Sequence, residues 1–384
     1  MKNPLAALMP GRGANSAQPL ITKRVNLALQ GGGAHGAFTW GVLEHLLADG
    51  RLQFEGISGT SAGAVNGVML ADGLIRGGPA EAQKRLADFW RAVSNNGNLP
   101  AMQRAVVERM LSFIPLEGTP MQAWLETWAR YFSPYDFNPL NINPLKDLFE
   151  RFVDFEALRA ASDLQIFISA TNVQTGRVRI FSRDKITAEA LMASACLPLL
   201  FRAVEIDGVP YWDGGYLANP VIFPFYGTTK TEDVLVVQIN PLVRQATPTS
   251  ANEIMNRINE ITFNSSLLSE YRAIEFVARL IDQDRLPHGI GKGQYRRINV
   301  HRIVLDDHGT AFDAASKVST DYALFEALHV AGKRAARRFL DDHFEDIGVK
   351  GTVDLAAEAR AEWAQRIGAV ESFKVVARNR HASR

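Results

Sequence analysis

Gly59-Thr60-Ser61-Ala62-Gly63 spells G-x-S-x-G between the short run Phe54-Glu55-Gly56-Ile57 and a stretch of small residues with helical character. A serine so placed can act as a nucleophile. The flanking glycines allow a sharp strand-to-helix turn that leaves Ser61 Oγ exposed at a helix N-terminus. The helix dipole and free backbone N–H groups there favour the negative charge that an acyl-transfer transition state develops. Upstream, Gly31-Gly32-Gly33-Ala34-His35-Gly36 follows the apolar run Val25–Leu29, and Gly31, Gly33 and Gly36 give G-x-G-x-x-G. That spacing suits a dinucleotide pyrophosphate. It suits an oxyanion equally, because both need backbone N–H groups to approach an anion with no side chain in the way. A dinucleotide fold wants an acid about 20 residues on, at the end of the second strand. Glu55 stands near that distance but precedes the strand end, and the strand runs straight into Ser61. The oxyanion reading is therefore preferred.

A nucleophilic serine needs a base. Tyr211-Trp212-Asp213-Gly214-Gly215 offers one in a turn signal, with an ordinary Asp-Gly turn as the competing reading. His288, His301 and His308 follow Asp213, so a Ser…Asp…His order is also open. An unperturbed aspartate, with a pKa of about 3.9, is a poor base at neutral pH. If Asp213 serves, the fold must bury it enough to raise that value.

The combination GGGAHG, GTSAG and DGG, in this order, resembles the patatin-like phospholipase family. The resemblance extends to Ala193-Ser194-Ala195-Cys196-Leu197-Pro198 and to Asn219-Pro220, and covers roughly residues 24–240. It implies a three-layer α/β/α fold with a mostly parallel central sheet. It also implies a Ser-Asp dyad without histidine, with Ser61 as nucleophile and Asp213 as base. Gly31, Gly32, Gly33, Ala34, His35 and Gly36 would then form the oxyanion loop; Gly59, Thr60, Ala62 and Gly63 the nucleophile elbow; Gly214 and Gly215 the rest of the Asp motif. The implied reaction is hydrolysis of lipid carboxylic esters, of phospholipase A or lysophospholipase type, with a lipid or phospholipid as partner and with neither cofactor nor metal. An acyltransferase using the same acyl-serine and a Ser-Asp-His esterase are the near alternatives; a dinucleotide-binding protein and a non-catalytic lipid-binding module are more remote. His35 departs from the pattern, since many members carry Arg or Lys there; the backbone N–H role survives, but a fixed positive charge is missing.

The elements that must position these residues follow from hydrophobic periodicity. Val25–Leu29 and Phe54–Ile57 read as strands, Ala34–Ala48 and Ser61–Ile75 as helices, so a strand-turn-helix unit occurs twice and a parallel α/β sheet is expected. Further strands are expected at Leu164–Val173, Arg177–Phe181, Asp233–Ile239 and Asn299–Leu305, with helices over about 250–286 and 320–344. Residues 1–22 read as a flexible leader, 23–345 as the main domain, 94–160 as a helical insertion within it, and 346–384 as a C-terminal helix and basic tail. The aromatic and Met-rich run Met102, Met110, Phe113, Met121, Trp124, Trp128, Tyr131 and Phe132 reads equally as helix packing or a lipid-facing lid. Gly291-Lys292-Gly293 lacks the rest of a phosphate-binding loop and reads as a turn.

Composition sets outer bounds. With 384 residues, 47% hydrophobic and 22% charged, the chain can bury a large core. A net charge of +1 gives no global reason to expect nucleic acid. The single Cys196 excludes an intramolecular disulfide and a multi-cysteine zinc site, and reads as a small buried residue rather than a nucleophile. No apolar run is long enough to span a bilayer, so the expectation is a cytoplasmic protein whose membrane contact would be peripheral.

Overall fold

A computed structural model describes residues 21–94, 133–137, 145–198, 201–244, 246–289, 291–305 and 321–361. Strand β1 (Lys23–Leu29) passes through a 3-10 turn, Gly33–His35, into α1 (Gly36–Asp49). Strand β2 (Leu52–Gly59) passes directly into α2 (Ala62–Val93), which breaks at Gly78-Pro79, where proline cannot continue the hydrogen-bond ladder. Two short helices, α3 (Leu145–Phe152) and α4 (Phe155–Ala160), lead to β3 (Gln165–Asn172) and its antiparallel partner β4 (Arg177–Ser182). Then come α5 (Ala188–Ser194), the hairpin β5 (Val204–Ile206) and β6 (Val209–Asp213), β7 (Asp233–Gln238), α6 (Ala251–Asp282), β8 (Asn299–Val304) and α7 (Tyr322–His343).

The sheet runs β5-β6-β3-β2-β1-β7-β8, with β4 on β3. The run β3-β2-β1-β7-β8 is parallel throughout. Alternation along each central strand divides its side chains between two cores, as a sheet covered on both faces requires. Val25, Leu27 and Leu29 of β1 and Leu235 and Val237 of β7 join Phe38, Leu43, Leu70, Phe325 and Leu328 of α1, α2 and α7. Ala28, Val234, Val236 and Val300 instead join Leu267, Tyr271 and Ile274 of α6. Each buried Val or Leu contributes about 1.5–3 kcal/mol of transfer free energy. The fold is thus the expected three-layer α/β/α sandwich.

The second helix runs on to Val93, beyond the expected Ile75. The hairpin β5–β6 was not anticipated, and it makes Asp213 the last residue of a strand rather than part of a free turn. The insertion is helical where it is described, at 134–137 and in α3 and α4. Its aromatic and methionine run, the leader up to residue 20, the tail from 362 and His308 lie outside the described residues. No helix among the described residues is long and apolar enough to cross a membrane.

Candidate active site

The register of one strand explains how Ser61 and Asp213 come together. Along one edge of β3, Ile168 pairs with Gly59 of β2 and, two residues on, Ala170 pairs with Asp213 of β6. Strand β4 occupies the other edge over the same residues, so β2 and β6 must share the first edge, one after the other. Asp213 therefore arrives about 7 Å along the strand from where β2 stops, two residues at ~3.3 Å each. Ser61 turns off β2 in that gap.

The turn at Ser61 is sharp. Its backbone has φ 54 and ψ −125, in the region where a non-glycine residue is strained, and the residue opens α2 as its N-cap. Two close approaches hold it. A Cβ on Gly63 would lie 2.1 Å from Leu29 O, so only glycine lets α2 start against the end of β1. A Cβ on Gly31 would lie 2.5 Å from Thr60 O and 2.7 Å from Ser61 Cβ, which places the glycine loop directly against Ser61. The Ser61 N–H donates to Ser194 Oγ at 2.9 Å. Thr60 Oγ1 and Ser169 Oγ, 2.6 Å apart, both reach Ala218 O and so tie the elbow to β3 and to the chain after Asp213.

Asp213 is fully buried, and burial pushes its carboxyl from 3.8 up to about 7. Two hydrogen-bonding influences oppose the rise, the Gly215 N–H donating to Oδ1 at 2.7 Å and the Ser61 side chain. Ser61 is near enough to favour the carboxylate, and Asp213 Oδ2 is buried without a bonded partner. Contacts of this kind often tighten once substrate arrives. The Asp213 N–H donates to Cys196 O at 2.7 Å, and Thr171 Oγ1 donates to Asp213 O at 2.9 Å. The segment Ala193–Cys196 thus braces both partners, Ser194 holding the serine backbone and Cys196 the aspartate backbone. Cys196 itself is buried, and desolvation together with the Asp213 charge pushes its thiol up to about 12. It is not a competing nucleophile.

The glycine loop is fixed by a set of buried amides, of which sequence reasoning singled out Asn219 alone. Asn219 Oδ1 accepts from the Gly31 N–H at 2.6 Å, while Asn219 Nδ2 at 3.3 Å and Asn240 Nδ2 at 2.7 Å donate to Gly31 O. Gln30 Oε1 accepts from the Ile239 and Asn240 N–H groups, and Gln30 Nε2 donates to Asn264 Oδ1 at 2.8 Å. Gly31 therefore has no N–H left for an oxyanion. Among the described residues the N–H groups of Gly32 and Gly33 have no acceptor. Ala34, His35 and Gly36 are buried around the turn into α1. Asn219→Ala would strip Gly31 of its clamp and leave a buried N–H unpaired. The expected result is a stability loss of about 1–3 kcal/mol and a kcat loss on the order of 100-fold, similar to deleting an oxyanion donor. Thermal melts and steady-state kinetics on a soluble ester check this; a folded variant with unchanged kcat would dismiss Asn219 from the site.

The other candidates lie elsewhere. Glu55 accepts from the Lys230 and Thr231 N–H groups, a cap on the chain entering β7 rather than a ribose ligand. His301 is buried with Nε2 2.9 Å from Asp233 Oδ1, at the start of β7 and so at the opposite end of the sheet from Ser61. His288 meets Glu232 at 3.2 Å. Neither joins Asp213. Among the described residues no three His, Cys, Asp or Glu side chains cluster as a metal site would need.

Comparison with known proteins gives one family and several distant structures. A family model described as patatin-like phospholipase matches residues 27–226. VipD from Legionella pneumophila is similar at 15% identity and a TM-score of 0.37, over 84% of this chain and 67% of that one. The type III effector protein ExoU is similar at 12% identity and a TM-score of 0.32, over 84% of this chain and 53% of that one. A heterodimeric ExoU–SpcU complex from the type III secretion system of Pseudomonas aeruginosa gives 14% identity and a TM-score of 0.30, over 82% and 52%. The chain spans about half the length of those ExoU chains. No curated protein matches.

Proposed function

Since this chain belongs to the patatin-like phospholipase family, we propose that it is a lipid acyl hydrolase of phospholipase A or lysophospholipase type, working through an acyl-serine on a Ser61–Asp213 dyad. The observation that carries the proposal is the state of Asp213. It is a buried carboxyl with its pKa near 7, beside a strained serine, so it can hold or release a proton at neutral pH.

In the first step Ser61 Oγ attacks the acyl carbonyl carbon while Asp213 takes the hydroxyl proton. The carbonyl oxygen becomes an oxyanion, for which the N–H groups of Gly32 and Gly33 and the N-terminus of α2 supply donors and positive potential. Collapse expels the alcohol portion of the lipid, which takes the proton back from Asp213. Water then attacks the acyl-serine with Asp213 again as base, the fatty acid leaves, and Ser61 recovers its proton. One carboxyl group serves each transfer in turn.

Labelling with a fluorophosphonate, followed by peptide mass mapping, tests the assignment. Modification is expected at Ser61 in the wild type and at no serine in Ser61→Ala. A wild type that hydrolyses lipid esters but is labelled elsewhere would overturn the dyad.

A further inference from the structure

Helix α6 is longer than the sheet it covers. Its 32 residues span about 48 Å, whereas strands of six to eight residues span about 20–27 Å. At the end of the sheet where Ser61 sits, α6 meets the chain after β7 through Arg257 and Glu260, then Tyr216 through the edge-on ring of Phe263, and Gln30 through Asn264. The apolar packing of α6 on the sheet, through Leu267, Tyr271 and Ile274, lies after that point. The first three turns, about 18 Å of helix, therefore precede the part of α6 that packs on the sheet.

These turns have their polarity inverted. From Glu253 to Phe263 the one buried side chain is Glu260, which accepts from Arg244 Nη2 at 2.8 Å and from Arg257 Nη1 at 3.2 Å. Arg257 also donates to Pro241 O and Leu242 O, so the inner face is an ionic anchor that fixes the arm to the chain after β7. The outer face carries Ile254, Ile258 and Ile261, 44%, 50% and 55% exposed, at the i, i+4, i+7 spacing of a single stripe, with Met255, 44% exposed, beside Ile254. Val243, in the anchored loop, is 78% exposed. A helix that faces water normally shows the reverse pattern.

We propose that this first stretch of α6, together with Val243, is the surface on which the protein docks to a phospholipid bilayer, its exposed apolar stripe entering the headgroup boundary. The inference rests on the lipid hydrolase reading, which requires Ser61 to receive an acyl chain from an aggregated substrate. The amount of surface favours a bilayer over a second copy of the chain. Five partly exposed side chains make a patch of a few hundred Å², against the ~800 Å² per partner that a stable dimer buries. A bilayer needs no complementary shape, and interfacial helices enter it by only about 5–10 Å. Because both arginines are paired with Glu260, the arm offers no free cationic cluster, and docking is independent of lipid charge.

Sedimentation with phosphatidylcholine vesicles at physiological salt tests the proposal. Ile258→Asp combined with Ile261→Asp is expected to lower vesicle partition at least about tenfold and to lower vesicle hydrolysis in step, with hydrolysis of a short-chain soluble ester unchanged. Ile258→Trp is expected to raise partition. Unaltered partition in the double variant would overturn the proposal, as would a wild-type dimer that the same substitutions dissolve. The Ser61→Ala protein is expected to bind vesicles like the wild type, so a failure of the hydrolase reading appears as absent ester turnover and leaves the partition measurement to decide docking by itself.

Discussion

Asp213→Asn is expected to abolish ester hydrolysis and, above pH 7, to make the fold more stable. The loss of activity follows from removing the base; in serine hydrolases such deletions cost about 10⁴-fold or more in kcat. The gain follows from linkage. The carboxyl rises from an ordinary 3.8 to about 7 because burial penalises its charge, so the folded state binds a proton that the unfolded state releases. Stability from this group is complete below pH about 4 and is lost as pH climbs through 7. Three units correspond to roughly 4 kcal/mol, an upper limit for what the neutral amide recovers. The substitution keeps an acceptor for the Gly215 N–H. The measurement is the difference in melting temperature between variant and wild type across pH 4–9: small at the acid end, growing through neutrality. A difference that stays flat with pH would show that Asp213 titrates normally. In the wild type the same proton governs catalysis with the opposite sense, so kcat/KM is expected to rise with pH around a midpoint near 7.

Ser61→Gly and Ser61→Ala are both expected to lose activity by about 10⁴–10⁶-fold, yet to differ in stability. At φ 54 and ψ −125 the serine backbone is strained, at a cost of about 1–3 kcal/mol for such conformations. Glycine relieves the strain and alanine retains it. Part of the relief is offset by the extra freedom of glycine in the unfolded chain, about 0.5–1 kcal/mol. The glycine variant should therefore melt above the alanine variant, and equal melting temperatures would show that the elbow stores no strain.

The residues of the proposed site were legible in the sequence because each stands in a stretch of unusual local spelling. Glycines mark Gly31–Gly36 and Gly59–Gly63 because the backbone needs them there, and the parallel sheet was legible because Val25–Leu29 of β1 and the whole of β7 are largely apolar runs buried on both faces. The hairpin that carries Asp213 was not, since β5 has three residues, β6 has five with Pro210 among them, and both are half exposed. Gln30, Asn240 and Asn264 gave no local signal: each stands in a different segment of the chain, and only the fold brings them together. The arm of α6 shows a third kind of limit. Its helical period was visible over 250–286, but the period cannot say which face is buried when the anchor is Glu260 rather than a row of leucines.

The shared edge of β3 has a wider consequence. Strands β2 and β3 are neighbours in the sheet, yet the whole of α2 and the insertion lie between them in the chain, and a second excursion separates β3 from β6. Serine and aspartate are thus spaced by rungs of a single ladder, whatever the connecting chain becomes. On the proposed mechanism, loops around the acyl chain could lengthen, shorten or be exchanged while the proton still travels the same short path. Under the proposed dyad, chemistry and substrate choice occupy separable parts of this architecture, so a change of lipid preference would not require the acid–base pair to be built anew.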